Sequence, residues 1–313
     1  MKKYLPAFLA ISLFLAGAAQ ALAQATPATP GGPPKVLQIF REEVKVGKGA
    51  AHEKFEAAGY VQTFAKANWP THYLAMTTIT GPSEAWFLTP YDSFEAWEKD
   101  RQATEKAPGL LGQLDQLGEK DAEFLTNGRS IVATYRPELS YHREGVNIFT
   151  MRYLSVTTYR VRPGHNADFE ELRKIVNEAH EKASVDEHWS MYQVISGMPG
   201  GTFLYFAPLK SLKEEDAVPE KHGKAYQDAL GDEGRKKLRE LSGAAILTSE
   251  NTLFAFSPKM SYVSKEAIAA DPDFWAPKPK MAARKPAAAT ETAGAKPAAS
   301  VKKPVAQAQA KKP

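Results

Sequence analysis

Two stretches of this chain, about 120 residues apart, run through the same succession of local patterns, and that recurrence constrains the fold more than any other feature. In the later stretch, Thr158-Tyr159-Arg160-Val161-Arg162-Pro163-Gly164 reads as a strand halted by a Pro-Gly turn. An amphipathic helix follows, carrying Phe169, Leu172, Ile175 and Val176 on one side. In the earlier stretch, Glu43-Val44-Lys45-Val46-Gly47 leads to Phe55 in the same way. Later landmarks recur too. Trp86-Phe87-Leu88-Thr89-Pro90 and Ser93-Phe94 answer Leu204-Tyr205-Phe206-Ala207-Pro208 and Ser211-Leu212. Leu125-Thr126 answers Leu247-Thr248, and Pro137 with Ser140-Tyr141 answers Pro258 with Ser261-Tyr262. An offset of roughly 118–122 residues is too long for a solenoid repeat and suits a duplicated domain.

Each copy has the order strand, helix, strand, strand, helix, strand. In the first, strands are predicted over Val36–Val46, His72–Thr80, Ala85–Thr89 and Ser130–Tyr135. Helices are predicted from Ala50 to Ala67, from Ser93 through Trp97, and, broken, from Leu110 to Leu125. In the second, strands fall at Tyr153–Arg162, Trp189–Ser196, Thr202–Ala207 and Asn251–Phe256. A helix covers Asn166–Lys182, and helical segments broken near Pro219 and Gly231 run from Ser211 to Leu247. A βαββαβ unit of this kind folds as a ferredoxin-like layer with two helices on one face of a four-stranded sheet. The first strands carry apolar groups on both faces: Leu154 and Val156 oppose Tyr153, Tyr159 and Val161, and Leu37 and Ile39 oppose Phe40 and Val44. Each sheet therefore needs a second cover, and the other sheet is the economical one.

The ends differ from this body. Residues 1–23 read as a signal peptide: Lys2-Lys3, an apolar run from Tyr4 to Ala19, and Ala21-Leu22-Ala23 before the cleavage point. Residues 24–35 form a Pro/Gly linker. The Ala/Lys/Pro-rich segment 277–313 is expected to be a disordered basic tail. The overall charge of +4 hides a segregation, because nine Lys and Arg and one acid stand in the tail. The body without leader and tail is mildly acidic, which disfavours a nucleic-acid-binding core. Cysteine is absent, so disulfides, thiol catalysis and thiolate metal sites are excluded. The expected setting is exported, periplasmic or secreted, with the tail available to an anionic envelope surface.

The pattern of residues 36–141 and 150–262 resembles the dimeric α/β-barrel superfamily, in which two ferredoxin-like units press their sheets together. Thr158-Tyr159-Arg160-Val161-Arg162-Pro163-Gly164 with Phe169 is similar to the opening of the NIPSNAP and antibiotic-biosynthesis-monooxygenase branches. The first copy departs from it, with Val46 where the pattern has Pro. The resemblance implies an α+β fold with the barrel formed inside one chain, so that the molecule is a monomer with internal pseudo-dimer symmetry. The superfamily includes cofactor-free oxygenases, haem-binding enzymes and proteins with no known reaction, so the fold does not select a chemistry.

Candidate functional residues gather where each first helix gives way to the next strand: Trp69, His72 and Tyr73 in one half, His188, Trp189 and Tyr192 in the other. With the strand aromatics Trp86 and Tyr205, they are the residue types that line a pocket for a planar or apolar ligand. His72 and His188 are the candidate proton carriers, with Tyr73 and Tyr192 to orient the ligand. Core packing by the aromatics is the competing reading. His52 and His165, near the helix starts, are expected to be exposed and idle, and His222 and Tyr226 to share a helix face. No metal site is expected, for no His-Glu-x-x-His spacing occurs and His180 and His188 are separated by a helix end. No cofactor is predicted: seven histidines give no discrimination for a haem ligand, and no Gly-x-Ser-x-Gly elbow supports a hydrolase. The leading expectation is a binder of a small apolar or aromatic ligand. The alternatives are a cofactor-independent monooxygenase or isomerase-like enzyme, and a non-catalytic envelope protein acting through its tail.

Overall fold

Each half builds the βαββαβ order its sequence pattern demands. The computed structural model describes residues 32–143 and 145–276; the expected leader, most of the linker and the basic tail lie outside the described residues. The first half contains β1 (Val36–Val44), α1 (Gly49–Ala58), α2 (Tyr60–Ala67), β2 (Leu74–Thr78), β3 (Glu84–Tyr91), α3 (Phe94–Glu105), α4 (Pro108–Asp121) and β4 (Leu125–Tyr135). The second contains β5 (Tyr153–Val161), α5 (Asn166–Ala183), β6 (Ser190–Ser196), β7 (Thr202–Leu209), α6 (Val218–Lys221), α7 (Lys224–Ala245) and β8 (Ile246–Phe256). Ser93 and Ser211 open matching helical segments, each hydroxyl accepting a backbone N–H, from Ala96 and Lys213 respectively.

Local corrections have identifiable causes. The single helix expected over Ala50–Ala67 is two, parted at Gly59, where a Cβ would stand 2.7 Å from Leu117 of α4. The region expected to be broken between Leu110 and Leu125 is the continuous α4, which ends at Asp121. After β8 come two short helices that the pattern did not announce, α8 (Lys265–Ala270) and α9 (Pro272–Trp275).

The sheets do not face one another as separate layers; they join edge to edge into one closed barrel of order β1-β3-β2-β8-β5-β7-β6-β4. Within each half the first strand is central, β1 between β3 and β4 and β5 between β7 and β8. The edge strands then cross over: β2 pairs with β8, and β4 with β6. Both faces of each sheet are thereby covered, as the two-faced strands require. Leu37, Ile39, Leu154 and Val156 fill the barrel with Leu204 and Phe206, while Val161, Phe169 and Phe203 pack in a separate cluster. Phe40 is an exception at 43% exposure. The pairing also shifts one matched landmark: Ile246, not Leu247, holds the place of Leu125, each facing the residue after a bulge in the central strand.

The Ser-Tyr dipeptides that looked like sequence landmarks act as clasps between the halves. The Ser261 hydroxyl accepts the N–H of Ala75, and the Ser140 hydroxyl accepts the N–H of Met191. Tyr262 bridges Tyr73 and Tyr141 bridges Trp189 by backbone pairing. No described helix is long and apolar enough to cross a membrane.

Two glycines with similar backbone angles should respond differently to substitution. Gly197 (φ +86°) lies against the β4–β6 seam, and a Cβ there would meet the Ser130 carbonyl oxygen at 2.0 Å. Gly164 (φ +85°) faces open space. Gly197→Ala is expected to cost about 3 kcal/mol, from left-handed strain and overpacking together. Gly164→Ala should cost about 1–2 kcal/mol from strain alone. Urea unfolding of both variants checks the ranking.

Candidate functional site

The barrel is not packed to its end. A cavity of about 240 Å³ opens where Gly32–Pro34, the connector Gly145–Phe149 and the turn Val263–Ser264 meet the strands. Its inner wall comes from corresponding positions of the two halves: Leu37 with Leu154, Leu88 with Phe206, Pro90 with Pro208. Alternation along β1 and β5 turns these side chains inward, so the wall is apolar because the barrel core is.

Few polar groups enter this space. Tyr192 is buried and its hydroxyl donates to the Pro34 carbonyl at 2.9 Å, tying β6 to the segment that leads into β1. Burial raises the phenol well above its ordinary value, so the proton stays on it. His72 is stacked on Tyr262, ring centres 4.7 Å apart. Burial lowers the His72 pKa, opposed in part by a hydrogen bond to the Pro70 backbone and the Glu266 charge.

Arg143 is the unusual member. It follows His142, whose positive φ of 44° makes a corner in the chain, and it is 8% exposed. Its Nε and Nη1 are buried without a hydrogen-bond partner among the described residues. Burial pushes its pKa down, and among the described residues the groups that oppose this are the phenols of Tyr192 and Tyr135. A cation on an apolar wall carries a desolvation cost that a partner offsets.

The residues singled out from sequence divide between the two sides of the barrel wall. His72 and Tyr192 line the cavity; Tyr73 borders it, but its ring packs on the other side of the wall against Phe64 and Phe87. Trp86 is inside the barrel but deeper, its indole N–H donating to Glu84 and its ring 5.4 Å from the Arg41 guanidinium. Trp69 lies outside, its indole N–H on Asp100. Trp189 and Tyr205 belong to the helix side of the sheet, where the Arg173 guanidinium stands over both rings at 5.2 and 5.3 Å. His188 is half exposed, with Nδ1 donating to the His142 carbonyl at 2.6 Å and Nε2 3.2 Å from Asp186. One-residue alternation explains the split: Tyr192 points in while Met191 points out, and Phe206 points in while Tyr205 points out. Arg143 was missed because it sits in an irregular connector, where no periodicity marks which way a side chain faces.

Two titratable clusters lie outside the cavity. His222 and Tyr226 do approach each other, with ring centres 5.2 Å apart, although the break between α6 and α7 falls between them. Glu187 stands between His180 (3.1 Å) and His222 (3.4 Å), and these imidazoles hold its carboxyl below the ordinary value against its burial. His52, expected to be exposed and idle, is 1% exposed and lies among Glu42, Glu56 and Asp121. Burial, with the charges of Glu42 and Asp121, pushes the Glu56 carboxyl up to about 10. Asp121 is raised by burial and by Glu42, with His52 opposing. The periodicity of α1 held the signal, because His52 and Glu56 are four apart and share a face.

No family model and no curated protein matches the chain. Among solved structures, an anthrone oxidase-like protein aligns at 15% identity and TM-score 0.47, covering 74% of this chain and 95% of the other. A candidate monooxygenase from Fusobacterium nucleatum aligns at 12% identity and TM-score 0.46, covering 72% and 93%. Chlorite dismutase from Candidatus Nitrospira defluvii aligns at 9% identity and TM-score 0.43, covering 76% and 95%.

The His72 environment gives a titration with a definite sign. Its folded pKa lies below the ordinary 6.5, so the folded state binds fewer protons and this group's stability contribution is lost as pH falls from 6.5 through the folded value. An NMR titration of the His72 ring should show a midpoint below 6.5, moving upward in Tyr262→Ala as the ring gains water. A midpoint above 6.5 in the parent chain would show that the Glu266 charge and the Pro70 backbone outweigh burial.

Proposed function

We propose that this chain binds a small apolar or aromatic molecule bearing an acidic group, held in the barrel cavity with the acid on Arg143. The observation that carries the reading is the buried guanidinium with two nitrogens unpartnered among the described residues, on an apolar wall. Guanidinium geometry suits a carboxylate, two N–H groups meeting two oxygens, and the low dielectric of the site strengthens that contact. The volume, about 240 Å³, falls below the roughly 300–1,000 Å³ of pockets for drug-sized molecules, which favours a compact ligand. The leader-like residues 1–23 support an exported setting, and the basic tail supports contact with an anionic envelope surface. A barrel closed by its own two halves supports a monomer descended from one duplicated unit.

His72 favours a second reading, that the bound molecule is a substrate. Burial keeps its imidazole neutral near pH 7, as a general base requires. A cofactor-independent oxygenase or isomerase-like step, the chemistry of some families that the Thr158–Gly164 stretch resembles, would begin with proton removal by such a base. His188 is tied to His142 away from the cavity, so His72 is the histidine this reading rests on.

Calorimetry with paired probes, benzoate-type aromatic carboxylates and their neutral amides, tests the leading reading. The carboxylates should bind at least about tenfold tighter, the worth of one charge-assisted pair. Arg143→Met should erase that preference while raising the stability of the ligand-free chain by about 1 kcal/mol or more, since an unpaired buried charge is removed. Equal binding of acid and amide, or a preference that survives in Arg143→Met, overturns the assignment.

A further inference from the structure

The first half keeps a polar cluster where the second half keeps aromatic core. Counted from the helix starts at Gly49 and Asn166, the fourth position is His52 in α1 and Phe169 in α5; one turn later stand Glu56 and Arg173. Strand pairing makes the same comparison for Glu42, opposite Ala85 and Gly128, and Tyr159, opposite Phe203 and Ser249. In the second half Tyr159, Phe169 and Phe203 stack with ring centres 5.3 and 4.8 Å apart. The fold is therefore served by rings at these positions. In the first half a carboxylate and an imidazole replace two of them, and Glu56 and Asp121 complete the set.

All four side chains are buried, between 1% and 3% exposed. His52 Nε2 stands 2.9 Å from Glu42 Oε2, 3.5 Å from Asp121 Oδ1 and 3.9 Å from Glu56 Oε1. Three carboxyl groups around one imidazole leave an excess of negative charge in a dry place, and such a charge needs a counter-ion or protons. The hydrogen-bonding inventory is incomplete as well: Glu56 Oε1 and Asp121 Oδ1 are buried with no hydrogen-bond partner among the described residues. Ligand atoms held about 2.1 Å from a common ion stand roughly 3.0–3.4 Å apart in octahedral or tetrahedral geometry. The imidazole-to-carboxylate separations bracket that range, and all four donors lie within 4.8 Å of one another.

We propose that Glu42, His52, Glu56 and Asp121 form a buried site for a divalent first-row transition ion of the Mn(II), Fe(II) or Zn(II) class. Three oxygen donors exclude a soft-metal preference, and the imidazole distinguishes the set from the all-oxygen shells of Ca(II) and Mg(II). Four protein donors in a closed pocket make a site that holds rather than reacts. Bound there, the ion ties β1, the middle of α1 and the end of α4 to one point, and its two charges offset the excess of the three carboxylates. The cluster Glu187–His180–His222 is a weaker candidate, because its one carboxylate is already satisfied by two imidazoles.

The test uses the full mature chain, stripped with a chelator and then given Zn(II), Mn(II) or Co(II) singly. Elemental analysis after desalting should find one ion per chain with Zn(II) or Mn(II). At a free ion concentration roughly 100 times Kd the melting temperature should rise by about 5–10 °C, with no matching rise from Mg(II) or Ca(II). Co(II) should develop visible ligand-field bands. In Glu56→Gln, which keeps shape and removes one donor charge, affinity should fall at least about tenfold. His52→Gln should lose the Co(II) bands; if that variant does not fold, Glu56→Gln alone decides. A stripped chain that neither retains an ion nor shifts its melting, and that Glu56→Gln stabilises, overturns the proposal and leaves a cluster sharing protons. Ion binding that survives in Glu56→Gln but disappears in His222→Gln overturns it equally, by placing the ion on the other cluster.

Discussion

The crossed pairing of edge strands is the interaction on which the rest of this structure depends. A four-stranded sheet with apolar groups on both faces has two problems, an uncovered face and two rows of unpaired backbone groups. Pairing β2 with β8 and β4 with β6 solves both at once, since closure leaves no edge and places one face of each sheet around a common core. Neither half keeps this arrangement without the other. Ser140 and Ser261 show how closely closure is specified: each hydroxyl accepts an N–H from the opposite half while donating to its own backbone, at Arg136 and Ser257. The cavity is a product of the same closure, because its walls are contributed by matching residues of both halves.

Symmetry in the framework makes its violations informative. At the cavity end the inward rows of the two halves match, Leu37 with Leu154 and Pro90 with Pro208, but farther along Arg41, Glu84 and Trp86 stand where the second half has Thr158, Thr202 and Leu204. Two further polar departures have no such counterpart: Arg143 stands in the connector between the halves, and the His52 cluster stands only in the first. Buried charges of this kind lower stability unless they are paired, so their presence in a fold that elsewhere uses aromatic rings marks positions where local consistency has been given up. Arg41 and Glu84 provide the contrast. They too are charges within the barrel, but they meet at 2.5 Å, and Glu84 further accepts the Trp86 indole. Arg41 keeps one unpartnered buried nitrogen, Nε, but its charge is paired with a carboxylate.

How much of this could be read in the sequence follows from where periodicity operates. The order of elements, the two-faced central strands and the Ser-Tyr landmarks were legible because each leaves a repeated signature in a regular element. The equivalence of the helices was misread by three residues, since Phe55 looked like the counterpart of Phe169 when the true counterpart is His52. A hydrophobic match was sought at a position that had become polar. His188, Trp189 and Tyr192 form one cluster in the sequence because they are adjacent there, yet in the fold Tyr192 faces the barrel interior while Trp189 packs on the helix side. Arg143 and the helices α8 and α9 left no readable mark: the one is in irregular chain, the others span six and four residues, below the length at which a helical period can be recognised.

Access to the cavity follows from what surrounds its mouth. Strands cannot part there without breaking barrel pairing, but the mouth is bordered by connectors, which open at far lower cost. These connectors are not equally held. The Ile148–Thr150 turn is anchored to α9, with the Trp275 indole donating to the Phe149 carbonyl at 2.7 Å and Arg152 joining Asp271 at 2.5 Å while lying over the Phe274 ring. Among the described residues, the Gly32–Pro34 segment carries one side-chain tie, Tyr192 to the Pro34 carbonyl, made by a residue of the cavity wall itself. That one hydrogen bond ties the cavity wall directly to the chain leading into β1.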